Sequence, residues 1–277
     1  MNSIAPSKNH PLAFFALVYV MSMPFWLISI HLGKSGLPDN MPLTDIGATL
    51  SPALAACILI FRENGKSGLK EFLRRVYDVS RIKRKKWLVI AACLLPAIYL
   101  ITYAVMRCSD LPVTQSIEPS TALFSLFTMF LIAAIAEEIG YSAYATDALQ
   151  KRLSALTTAL LIGIPWALWH LPSMIEMGQP WQLIVWGLMA TIAFRVITVW
   201  LYNNTNYSLF AVIIAHAIGT TARSAFPGGR SGYELGHGSI SYGIIIFVAF
   251  LVIGFWGPST LSNFRSRLFH SDQATSV

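Results

Sequence analysis

Long apolar runs separated by short polar stretches set the rhythm of this chain. They fall at roughly 11–32, 45–61, 87–106, 121–141, 155–172, 181–201, 207–226 and 240–257. Most approach the ~20 residues that an α-helix needs to cross the hydrocarbon core of a bilayer. Inside lipid no water is at hand to bond a bare backbone, so runs of this length read as helices. The pattern predicts an all-α membrane protein, a polytopic bundle of about eight transmembrane helices forming a single integral membrane domain over 1–277. One lysine precedes the first run, which is about 20 residues long. That suits a first membrane helix better than a cleaved signal peptide, whose apolar region is shorter.

Composition supports the pattern. Of 277 residues, 55% are hydrophobic and 12% charged, and the mean hydropathy is +0.58, whereas about 25% charged is usual in a soluble domain. Too few polar side chains are present to cover a water-soluble globule, and a disordered chain is excluded. The net charge of +7 is concentrated in one place: ten of the twenty basic residues lie between Arg62 and Lys86, opposed by Glu63, Glu71 and Asp78. Set between two apolar runs, 62–86 reads as a basic cytoplasmic loop and topogenic anchor, not as a nucleic-acid surface. With the N-terminus inside, fifteen basic residues collect on the inner side and four on the outer. This orients both termini to the cytoplasm and suggests the cytoplasmic (plasma) membrane. Within the loop, Leu69, Phe72, Leu73, Val76 and Tyr77 recur at helical spacing, which predicts an amphipathic helix lying on the anionic inner leaflet. Cys57, Cys93 and Cys108 make no disulfide framework.

Polar residues inside the apolar runs are the informative exceptions. Glu137 and Glu138 fall in the fourth run, His170 closes the fifth, Arg195 lies in the sixth, and His216 and Thr220 lie in the seventh. A charge at the bilayer centre costs about 2.5–3.5 kcal/mol on insertion scales, so two adjacent glutamates require a compensating role. If the fourth and fifth runs form an antiparallel hairpin, the midpoint between Glu137 and His170 falls at Leu153 and Ser154, next to Lys151 and Arg152. Glu137 and His170 then share one depth, about 20–25 Å from the turn, and the fourth helix runs on through Tyr144 to Gln150. By the same rise His216 lies about 15 Å along the seventh helix, with Thr220 on its face, as Trp166 is on the face of His170. Adjacent helical residues point about 100° apart, so at most one glutamate aims at a shared centre and the other is expected in a structural pair. Simpler roles stay open. Each His can serve as a helix–helix hydrogen bond, the glutamates as a proton site in a transporter, although no internal repeat is visible. Arg195 can pair with a buried carboxylate or snorkel to the interface, and Trp166, Trp169 and Trp181 can be interface aromatics.

The segments Ala136-Glu137-Glu138-Ile139-Gly140-Tyr141, Trp166-Ala167-Leu168-Trp169-His170-Leu171-Pro172 and His216-Ala217-Ile218-Gly219-Thr220 resemble, in order, the three motifs of the CPBP family. These are the CAAX-protease and bacteriocin-processing intramembrane proteases, related to type II CAAX prenyl endopeptidases. The stretch from Arg195 to Thr205 resembles the family's approach to its third motif, so the likeness covers about 120–225, the core carrying the motifs. It implies an intramembrane endopeptidase that hydrolyses a peptide bond in a membrane-borne or lipidated substrate, CAAX-type termini among the options. Carried over, Glu137 is the general base that activates water, His170 stands beside it, and His216 with Thr220 holds the substrate carbonyl or its oxyanion. Glu138, Trp166 and Arg195 are supporting residues. The residue chemistry fits, since a desolvated Glu–His pair can deprotonate water and a donor opposite can stabilise a tetrahedral intermediate. The partners implied are a peptide or membrane-protein substrate and the lipid bilayer, with no nucleic acid.

Two positions depart from the family pattern of E-E-x-x-x-R and H-x-x-x-N: Ser142 stands at the Arg position and Thr220 at the Asn position. Arg195 is the expected substitute partner for Glu138, and restoring both family residues, Ser142→Arg with Thr220→Asn, is expected to raise activity. The same departures support the alternative, a catalytically weakened or inactive relative acting as an immunity or scaffold protein that binds a membrane partner. A Glu with two His also resembles a zinc ligand set, which would make Glu137, His170 and His216 the ligands of a divalent metal. The chain has no H-E-x-x-H, whose spacing preforms two ligands on one helix. The reading taken is that no cofactor is required.

Overall fold

The computed structural model describes residues 10–32, 47–111, 122–225 and 235–262. Lys8, Lys34, Arg230, Arg265 and Arg267, which entered the orientation count, lie outside the described residues. Each regular element among the described residues is helical, and eight long helices follow the eight apolar runs. They are α1 (Pro11–Leu32), α2 (Ser51–Arg74), α3 (Lys86–Cys108), α4 (Ala122–Glu138), α5 (Ala155–Glu176), α6 (Trp181–Asn204), α7 (Leu209–Ala225) and α8 (Leu235–Trp256). The fourth helix does not end at Glu138: wide π-type turns over Ile139–Thr146 and a last α-turn at Asp147–Leu149 carry it to the turn before α5. There Ser154 caps α5, its hydroxyl accepting the Thr157 N–H at 3.1 Å and satisfying one of the orphan donors of the first turn.

Six of the helices are long and apolar enough to cross a bilayer, and the chain is a multi-pass integral membrane protein. The eight helices match the expected polytopic bundle of about eight, and among the described residues two of them fall short of this length or continuity. Helix α7 has 17 residues, about 25 Å of rise. Helix α2 is broken at Gly65, whose φ of 65° and ψ of −167° lie in a region open to glycine and costly for residues with a Cβ. Large apolar side chains such as Leu12, Val89, Phe124, Ile132, Phe247 and Phe250 point outward and exposed. In water such a surface would drive aggregation, and in lipid it is the solvated face.

The basic stretch 62–86 is helical in its first half and runs in turns over 78–85. Its first half is the second limb of α2, which ends in a single 3₁₀ turn at Arg75–Tyr77. Phe72 is buried and Leu69 and Val76 pack against the core, whereas Leu73 and Tyr77 are exposed. The amphipathic face is therefore docked on the end of the bundle, with only part of the predicted apolar stripe used. Arg75 fixes the docking. Its Nη1 donates to Asp147 Oδ2 at 2.8 Å and to the Ala143 carbonyl at 3.3 Å, and its Nη2 donates to the Tyr202 hydroxyl. Burial pulls the Arg75 pKa down, but the fields and hydrogen bonds of Tyr202 and Asp147 outweigh it and leave the pKa above its ordinary value.

Helix α6 is the hub of the bundle: 61% of its apolar window is buried against 22% for α1. It packs on α5 and α8, while α7 packs on α3 and α4, and α1 on α2. The wide turns of the fourth helix approach the start of α2. A Cβ built on Gly140 would stand 2.7 Å from both the Cβ and the carbonyl oxygen of Pro52, so the backbones touch through this glycine. Gly140→Ala should cost about 1–3 kcal/mol, as overpacking does elsewhere. A lowered thermal unfolding midpoint in detergent would register it, and an unchanged midpoint would mean that α2 yields freely.

Candidate active site

Glu137 and Glu138 diverge at the last regular turn of α4, as a rotation of about 100° between neighbours requires. Glu138 is fully buried and faces charge. Arg195 Nη1 donates to its Oε2 at 3.0 Å and Nη2 to its Oε1 at 3.2 Å, a two-pronged ion pair between α4 and α6. The Ser142 hydroxyl donates to the same Oε2, and Arg195 Nη1 also lies 3.3 Å from the Ser142 oxygen. A carboxylate with this many donors is satisfied although sealed from water. The arginine is therefore paired and does not snorkel. Its guanidinium carbon sits 4.2 Å from the centre of the Trp166 ring and 5.4 Å from that of Tyr141, so the cation is held between α4 and α5 by aromatic faces.

Glu138 makes one further contact, to His216 Nδ1 at 2.9 Å. Facing a carboxylate, Nδ1 is the nitrogen that carries the proton, and Nε2 is left for other partners. Ser142, the departure from the family pattern, thus sits inside an assembly in which Arg195 reaches from another helix to the same carboxylate. A second arginine placed at 142 would meet Arg195 across one carboxylate, so Ser142→Arg made alone should weaken the protein.

Glu137 turns the other way. Its Oε2 accepts the Trp166 indole N–H at 2.8 Å, and it borders a cavity of about 640 Å³ shared with His170, His216 and Thr220. Trp166 is the common neighbour of the cluster, its ring centre 5.5 Å from that of His170 and 5.7 Å from that of His216. Among the described residues His170 makes ring contacts with Trp166 and Trp169 and no hydrogen bond. The Thr220 hydroxyl donates to the His216 carbonyl at 3.1 Å, so its proton is spent on its own helix while its oxygen stays at the cavity wall. The structure brings together all seven residues singled out from the sequence: Glu137, His170, His216 and Thr220 around the cavity, with Trp166 beneath them and Glu138 and Arg195 behind.

Trp166 and Trp169 are not interface aromatics. Both are buried, because each indole N–H has an internal acceptor: Glu137 for Trp166, and the Ser22 hydroxyl of α1, at 2.7 Å, for Trp169. Trp181, 67% exposed, keeps the interfacial role. The cavity also has walls that sequence reasoning missed. Arg223, one of the four cations that the charge count places on the outer side, lines the cavity. The spacing of 216, 220 and 223 on one helical face was the available signal. Met129, Met174 and Met177, with Leu95 and Tyr99 of α3, complete a lining of adaptable apolar side chains.

Among the described residues no three His, Cys, Asp or Glu side chains are grouped to hold one ion. His216 turns Nδ1 to Glu138, and Glu137 has one oxygen committed to an indole.

Two comparisons bear on this geometry. The family pattern described as type II CAAX prenyl endopeptidase Rce1-like matches residues 119–222, the part of the chain that supplies Glu137, Glu138, His170, Arg195, His216 and Thr220. The chain is also 25% identical over 228 residues to CAAX prenyl protease 2 of Methanococcus maripaludis, an alignment covering 77% of this chain and 83% of that protein.

Proposed function

We propose that this chain, which matches the type II CAAX prenyl endopeptidase Rce1-like pattern over 119–222, is an intramembrane endopeptidase of the CPBP family acting through a water activated at Glu137. The observation that carries the reading is the convergence of Glu137, His170 and His216, from three helices, on one cavity set among membrane-spanning segments. Adaptable apolar walls with a few convergent polar groups suit a lipidated or membrane-borne peptide. A CAAX-type terminus is the first substrate to try, since it is named by the relative. Trp166 orients the Glu137 carboxylate, whose other oxygen takes a proton from water as the water oxygen attacks the peptide carbonyl carbon. His170 holds the same water by accepting its second hydrogen. The electron pair displaced onto the carbonyl oxygen is stabilised by His216, which presents Nε2–H when protonated and is braced through Nδ1 by Glu138. Collapse of the intermediate restores the carbonyl and breaks the C–N bond, and Glu137 returns its proton to the leaving nitrogen. Both termini facing the cytoplasm, in the plasma membrane, completes the reading.

One observation favours the non-catalytic alternative, an immunity or scaffold protein that binds a membrane partner in this cavity: the Thr220 proton is directed at its own helix and not at an oxyanion. Mass spectrometry of new peptide termini separates the two. Wild-type protein and His170→Ala would each be reconstituted with membrane proteins and a prenylated CAAX peptide. Termini made by the wild type and lost in the variant are expected. Identical profiles from two folded, inserted proteins would move the reading to the scaffold.

A further inference from the structure

The docked basic segment encloses a second cavity, at the end of the bundle where the fourth helix turns into α5 and α6 into α7. It has a volume of about 1220 Å³ and is lined by five cationic and three anionic side chains. The charges are not equally available. Asp147 is paired with Arg75 at 2.8 Å and Asp78 with Arg81 at 3.1 Å. Lys70, Arg74 and Lys151 remain without an ion pair among the described residues, opposed by Glu71 alone. Lys70 and Arg74 are four apart and share one face of α2, and Lys151 faces the same cavity from the turn after the fourth helix.

The cavity is built rather than left over from a mobile segment. Arg75 pins one end to α4 and α6. At the other end Asn206 Nδ2 donates to the Arg81 carbonyl at 2.8 Å, and Asn206 and Tyr207 both take positive φ, 53° and 61°, to make that turn. Below the cations the walls are apolar, from Ile60, Phe72 and Ala143. A cationic rim over an apolar floor, at the end of the bundle that the positive-inside count assigns to the inner leaflet, matches an amphiphile with an anionic head.

We propose that this cleft is a binding site for a phosphate-bearing anion, with Lys70, Arg74 and Lys151 around the phosphate and the acyl side of an anionic phospholipid over the apolar floor. The site does not depend on the protease reading, since none of its residues touches the Glu137 cavity.

The test uses full-length protein in nanodiscs of phosphatidylcholine with added phosphatidylglycerol, and native mass spectrometry to count retained lipid. Wild-type protein should keep phosphatidylglycerol in preference to phosphatidylcholine. A Lys70→Gln, Arg74→Gln, Lys151→Gln variant should lose that preference by about tenfold or more. All three side chains are exposed, and a wild-type unfolding midpoint would verify the fold. A Lys83→Gln, Arg84→Gln, Lys85→Gln variant loses the same charge outside the cleft and should keep its preference. If both variants lose it equally, the attraction is a general surface charge effect and the site is refuted. A parallel arm adds inorganic phosphate at millimolar concentration to protein in neutral detergent. Protection from unfolding by phosphate as strong as by phosphatidylglycerol, lost in the cleft variant, would support the site and name free phosphate as its source; protection by lipid alone would name the membrane.

Discussion

Glu137→Gln should insert and fold like the wild type and lose roughly a hundred- to ten-thousandfold of any peptide cleavage, the range over which a positioned acid–base group acts. Glu138→Gln, one residue on, should do something different. Gln at 137 keeps the shape of Glu, and its carbonyl can still accept the Trp166 indole N–H seen at 2.8 Å. What it lacks is the oxygen that takes a proton from water. At 138 the carboxylate neutralises an arginine that is fully buried, with both side chains 0% exposed. Removing that charge leaves the guanidinium unpaired in an apolar interior, a loss of about 3–5 kcal/mol in comparable cases, and removes the brace on His216. The pair of variants is therefore diagnostic when thermal unfolding and new peptide termini are measured on the same preparations. If Glu138→Gln proved stable and inactive while Glu137→Gln still cut peptides, the roles assigned to the two glutamates would be reversed.

The sequence foretold the helices because each apolar run is about as long as a bilayer is thick, and it foretold the polar cluster because charge in lipid is too costly to be idle. Glu137, His170 and His216 could be gathered from depth arithmetic alone. Which glutamate faces the cavity could not, since adjacent residues differ by a single helical step. The wide turns that begin at Ile139 shift the register of everything after it. Trp166 could be read as a supporting residue or as an interface aromatic, because an indole is equally at home at a membrane interface and in a core that offers an acceptor, and the acceptor here comes from another helix. The basic stretch showed its charge and its helical face but not its docking. Its docking depends on one break, at Gly65, and on long-range bonds from Arg75 to Asp147 and Tyr202 that no local pattern encodes.

Arg195→Gln should destabilise the protein by about 3–5 kcal/mol, the cost of leaving a buried carboxylate without its partner, and Ser142→Arg added to it should return much of that loss. Ser142 is buried four residues beyond Glu138, already donates to its Oε2, and lies 3.3 Å from Arg195 Nη1. A guanidinium growing from position 142 would enter the space that Arg195 vacates, between the same carboxylate and the faces of Trp166 and Tyr141. The charge opposing Glu138 would then come from its own helix, where the E-E-x-x-x-R pattern has it, instead of from α6. Three unfolding midpoints decide the matter. Arg195→Gln and Ser142→Arg should each fall below the wild type, the first through an unpaired carboxylate and the second through two cations crowded on one anion. The double variant should lie above both. Additive losses in the double variant would mean that Glu138 accepts only a partner from α6. In that case Ser142 would be a packing residue and not the vacated seat of an arginine. The midpoints report the fold; His216 reports the brace. In the Arg195→Gln protein the ¹⁵N resonances of His216 should show its Nδ1 proton preference weakened, and the double variant should restore it, a signature that recovery of packing alone would not give.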